Sequence, residues 1–145
     1  MFQVLEWGGD MFRRVFATLV VVLLATSAQA DDKCKNATTT EEISECTGGD
    51  LKKLDAELNE TYRRIERRLA DNHGAKAALI SAERAWVTFR DAECKFAASG
   101  VEGGSVYASI VLGCTADLTA RRVADLRSYL NCEEGDLACP VPATD

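Results

Sequence analysis

The sequence predicts an all-α fold: a disulfide-stabilised antiparallel bundle of three long helices with a short N-terminal helix. Three observations carry that prediction. Apolar residues recur at steps of three and four in successive long stretches, which is helical periodicity. No proline interrupts Asp31 to Cys139, and no stretch alternates apolar and polar residues over a useful strand length. All six cysteines lie beyond Asp31, and an even count in a small exported domain reads as a disulfide framework.

The expectation of export comes from residues 1–30. Arg13 and Arg14 form a basic start, Val15 to Ala25 is apolar, and Ser27-Ala28-Gln29-Ala30 supplies small residues for cleavage after Ala30. The apolar run is shorter than the roughly 20 residues a membrane helix needs. Residues 1–30 are therefore read as a signal peptide, with Met11 a plausible true start. No cysteine stands at the cleavage point, so no lipid anchor is expected in the mature form. The leader carries two acidic and two basic residues, so the net charge of −6 belongs to the remainder. A negative domain is a poor nucleic-acid binder and suits a cationic protein partner.

Residues 31–139 read as one helical domain and 140–145 as a flexible tail containing Pro140 and Pro142. Thr40 precedes Glu41 and Glu42 and is read as the cap of a short helix that Gly48-Gly49 stops. Asp50 then caps a long helix with Leu51, Leu54, Leu58, Tyr62, Ile65 and Leu69 on one face. Asn72-His73-Gly74 ends it. The second long helix spans Ala75 to Ala98, with Ala75, Ala78, Leu79, Ala82, Trp86, Phe89 and Phe96 as its buried side. A flexible connection, Ser99 to Ser105, leads to a third helix that Ser105 caps and that ends near Leu130.

This bundle places Cys94, near the end of one helix, beside Cys114, about two turns into the next, so these two are paired. Cys34–Cys46 and Cys132–Cys139 join the nearest remaining partners, out of the fifteen connectivities that six cysteines allow. No CxxC is present, so neither a zinc site nor thioredoxin-like redox chemistry is expected.

In this order and spacing the residues look familiar. Cys34-Lys35-Asn36-Ala37-Thr38 and Glu42 to Cys46 are followed by Leu54 to Asn59 with Tyr62. Glu83-Arg84-Ala85-Trp86 runs through Phe89-Arg90-Asp91-Ala92-Glu93-Cys94. Glu102-Gly103-Gly104-Ser105, Cys114, Thr119, Arg122 and Leu126 complete the set. The chain resembles the LprI-like lysozyme-inhibitor family over Cys34 to about Leu130. That resemblance implies an exported, non-enzymatic protein with lysozyme as its partner. The rival reading is an envelope protein with a structural role or another partner.

Tyr62, Trp86 and Phe89 fall on apolar stripes and are assigned to the core rather than to an aromatic ligand site. Asp55, Asn59, Arg90 and Arg122 match polar positions of the family pattern. They are read as an interhelical network that sets register, with Asp55 and Arg90 as one pair, in preference to a site for a small anion or sugar. Glu83, Asp91 and Glu93 are carboxylates of the kind glycoside hydrolysis uses. No cleft-lining strand or aromatic platform accompanies them, so they read as solvated or salt-bridged. His73 sits in a loop beside Gly74, so no catalytic residue, cofactor or metal is assigned. The Arg63-Arg64 and Arg67-Arg68 doublets are interspersed with acids and read as an ordinary charged face, not a membrane surface. Gly100, Glu102, Gly103, Gly104 and Ser105 form the candidate partner-binding loop, with a plain helix connector as the alternative. The sequence does not set the oligomeric state.

Overall fold

The computed structural model describes residues 34–133 and 135–142. The expected leader and its cleavage point lie outside these residues. The chain divides into two compact units, one through Thr38 and one from Thr39 onward. In the first, the Ala37 N–H donates to the Cys34 carbonyl at 3.5 Å. The second contains α1 (Thr40–Arg68), α2 (His73–Ala97), a 3-10 turn (Ser99–Val101) and α3 (Tyr107–Leu130). The fold is all-α, with three helices packed together and no strand among the described residues. None of the helices described is long and apolar enough to cross a membrane.

Helix α1 begins one residue earlier than the sequence reading placed it. Thr39 is the cap: its hydroxyl accepts from the Glu42 N–H at 3.2 Å, and the Glu42 carboxylate accepts from the Thr39 N–H at 3.1 Å. This reciprocal box satisfies two N–H groups that a helix start leaves without partners. The expected stop at Gly48-Gly49 is absent. Two glycines cost roughly 1 kcal/mol each in a helix, which is a penalty and not a barrier. Gly48 turns toward α3, where a Cβ would lie 3.9 Å from the Leu112 side chain, so packing carries the helix through. Asp50 is a helical residue paired with Lys53 at 3.0 Å, not a cap. The anticipated short helix and the long one are thus a single element of 29 residues.

Asn72-His73-Gly74 opens α2 instead of closing α1. The Asn72 side chain accepts from the Ala75 N–H at 3.0 Å. Ser105 does not cap α3; Val106 occupies the cap position without a side-chain bond. At the other end of α3, the Arg68 guanidinium donates to the Leu130 carbonyl at 2.7 Å, supplying from α1 a partner for one of the last carbonyls.

The main core lies toward the α1–α2 turn. Ile65, Leu69, Leu126, Leu130 and Val141 are buried together, with Leu58, Tyr62, Ala75, Leu79 and Tyr129 packed around them. Val141 corrects the reading of a loose tail, since it is only 2% exposed. The disulfide between Cys132 and Cys139 folds the chain back and delivers Val141 to this core. Helices α1 and α3 form the principal interface, and α2 is held against α3 more sparingly.

The rotation of α2 is the largest departure from expectation. Its inward stripe is Leu79, Glu83, Trp86, Arg90, Cys94 and, just beyond the helix, Ala98. Ala78, Ala82, Phe89 and Phe96 face outward, Phe89 at 54% exposure and Phe96 at 73%. The reason is geometric. Cys94 is fully buried in its bond to Cys114. A helix advances about 100° per residue, so Phe96 lies roughly 200° round from Cys94 and must point away.

Candidate partner-binding site

Cys94 and Cys114 are joined with a Cα–Cα separation of 5.4 Å, bracing the segment between α2 and α3. Fully buried Ala98 seats the start of that segment. Successive turns order it: Val101 N–H to Ala98 at 3.0 Å, Gly104 N–H to Val101 at 2.9 Å and Tyr107 N–H to Gly104 at 3.2 Å. The expectation of a flexible connection therefore gives way to a hydrogen-bonded one. Gly103 has φ +75°, a left-handed conformation that suits glycine. A Cβ on Gly104 would meet the Val101 carbonyl oxygen at 3.0 Å, so the tight turn needs glycine there too. The product is a hydrogen-bonded, exposed tip carrying Gly100, Glu102, Gly103, Gly104 and Ser105.

The polar residues singled out from sequence do not form one network. Arg90, whose side chain is 16% exposed, is one centre. It bonds Asp91 at 3.0 Å, approaches Asp55 of α1 at 3.9 Å and Thr119 of α3 at 3.5 Å, and lies 5.1 Å from the Trp86 ring centre. The Asp55–Arg90 contact thus exists but is the longer of Arg90's two carboxylate contacts. Asn59 bonds within its own helix, to the Asp55 carbonyl at 2.7 Å. Arg122 makes a separate pair with Glu83, its Nε donating to the carboxylate at 2.9 Å. With side chains only 13% and 15% exposed, these two decide between the solvated and salt-bridged readings of Glu83 in favour of the salt bridge. The spacing of Glu83 to Arg90 and Cys94 on one helix face was the available signal.

We expect Arg90→Ala to lower stability by about 1–2 kcal/mol, from lost cation–π contact and charge-assisted hydrogen bonds. Chemical denaturation with the disulfides intact measures this, and the parental midpoint in the variant would contradict it.

Among the aromatic residues, Tyr62 packs at the edge of the core. Burial and then the neighbouring Glu66 carboxylate raise its phenol above the usual range. Trp86 is half-buried beneath Arg90, while Phe89 is not a core residue. His73 is an exposed residue of the first turn of α2. No group of acidic, histidine or cysteine side chains suited to a metal occurs among the described residues. Cys34 and Cys46 are each disulfide-bonded, and no cysteine is free.

These elements make a small helical domain held by disulfides, with an exposed loop between α2 and α3. Residues 30–126 match the family described as lysozyme inhibitor LprI, and the chain belongs to that family. It is similar to an uncharacterized protein of Rhizobium meliloti (strain 1021), at 34% identity over 121 residues, covering 76% of this chain and 87% of the relative. No solved structure matches.

Proposed function

We propose that this protein inhibits lysozyme outside the cytosol by binding it and obstructing its substrate cleft. The match to the LprI family across nearly all of the described helical domain carries this reading. The multiple disulfides suit an oxidising compartment, periplasmic or extracellular, reached through the leader at residues 1–30 with cleavage after Ala30. The protein acts without catalysis. Glu102 and the glycines around it supply a narrow, negatively charged tip, and the Cys94–Cys114 bond keeps the tip from collapsing on binding.

The direct test is cell-wall lysis by lysozymes of several classes, with increasing amounts of the mature, oxidised protein. Residual lysis is expected to fall with molar excess, and the half-inhibitory concentration to rise with salt as charge attraction is screened. Full lysis by every lysozyme at large excess would end the proposal.

A further inference from the structure

The Cys132–Cys139 and Cys94–Cys114 bonds differ in their surroundings. Cys94 is fully buried, and Cys94 and Cys114 both stand on long helices, α2 and α3. Cys132 and Cys139 are each half-buried and lie beyond the end of α3. Both also line an open cavity of about 400 Å³, together with Ser128, Tyr129, Asn131 and Asp136. A small thiol can enter this space and meet the sulfurs, whereas Cys94 is sealed by the helices that carry the bond.

The segment that Cys132 and Cys139 close is shaped by short-range turns. The Asp136 N–H donates to the Glu133 carbonyl at 3.2 Å, and the Cys139 N–H to the Asp136 carbonyl at 3.1 Å. The Ala138 N–H donates to the Asp136 carboxylate at 2.8 Å. These bonds shape the segment without attaching it to a helix. Attachment comes from the disulfide at its base and from Val141, two residues past Cys139, which is buried with Ile65, Leu69, Leu126 and Leu130. One valine buries too little apolar surface to offset the conformational freedom of the whole returning segment, so the covalent bond keeps it in place.

We propose that the Cys132–Cys139 bond is a redox latch: a dithiol reductant opens it while Cys94–Cys114 persists, and opening withdraws Val141 from the core. A thiolate of the reductant attacks one of the two sulfurs and forms a mixed disulfide, and the other cysteine leaves as a thiolate and takes up a proton. The reductant's second thiolate then displaces the first cysteine, which is protonated in turn. The reductant ends as a disulfide, and Cys132 and Cys139 together gain two electrons and two protons. Once reduced, Cys132 and Cys139 separate because the chain between them is not helical. Cys94 and Cys114 are kept side by side by packed helices, which favours reclosure. The latch couples local stability at this end of the bundle to the thiol balance of the compartment. It holds whether or not the protein binds lysozyme.

The test titrates the mature, oxidised protein with dithiothreitol in the absence of denaturant. Free thiols are alkylated and mapped by mass spectrometry, with circular dichroism and amide hydrogen exchange measured in parallel. Cys132 and Cys139 are expected to be alkylated at reductant concentrations at least about tenfold below those that Cys94 and Cys114 require. Helicity should then be retained, while exchange around Leu126 and Leu130 accelerates about tenfold or more. Cys132→Ser/Cys139→Ser should exchange in the same way with no reductant present, which separates the effect from reduction at Cys34 and Cys46. Val141→Ser, still oxidised, should show the acceleration too, and reducing it should add little. Alkylation of Cys94 and Cys114 together with or before Cys132 and Cys139 overturns the latch. Parental exchange at Leu126 and Leu130 in Cys132→Ser/Cys139→Ser also overturns it.

Discussion

Replacing Glu83 by alanine is expected to destabilise the fold by about 3 kcal/mol, the lower part of the range for breaking a buried ion pair. The cause is less the lost attraction than what remains. Arg122 is nearly buried between α2 and α3, and without Glu83 its guanidinium keeps its charge with little water to solvate it. Arginine cannot relieve this by giving up a proton, because it stays charged at any accessible pH. The double variant Glu83→Met/Arg122→Met should therefore recover most of the loss, since removing both charges also removes both desolvation costs. Urea denaturation with the disulfides intact measures the cycle. Equal destabilisation in the single and double variants would show that the pair acts through packing alone.

Leu126→Ala should lose about 2–5 kcal/mol, the cost of deleting a fully buried leucine and leaving a cavity. Leu126 is inaccessible to solvent and clusters with Ile65, Leu69, Leu130 and Val141, drawn from two helices and the returning tail. Phe89→Ala removes a larger side chain yet should change stability by no more than about 0.5 kcal/mol, as for a surface position. The contrast measures the rotation of α2 directly. A Phe89→Ala loss as large as that of Leu126→Ala would place Phe89 inside the bundle and overturn the outward assignment.

The α1 stripe was legible in the sequence because every one of its apolar steps belongs to a single helical face. Leu58 and Tyr62 border the core, and Ile65 and Leu69 lie within it. The face of α2 was harder to read because alanines, Trp86 and two phenylalanines offered two overlapping stripes. The inward one contains Glu83 and Arg90, which a hydrophobic pattern discounts. A charged residue reads as solvent-facing until the partner that neutralises it is known, and Arg122 lies 39 residues away from Glu83. The candidate loop was legible in its glycines and Glu102. Its order was not, since that depends on hydrogen bonds between backbone groups whose positions are set by the disulfide and Ala98.

The sequence by itself determined the helical class, the approximate extents of α2 and α3 and the resemblance that pointed to the LprI family. These follow from local periodicity and residue order, which need no knowledge of what packs where. Tertiary structure decided that α1 runs through Gly48-Gly49, that α2 turns its phenylalanines outward and that Val141 enters the core. Each depends on a distant contact: Leu112 beside Gly48, Cys114 bonded to Cys94, and the Cys132–Cys139 bond that returns the tail.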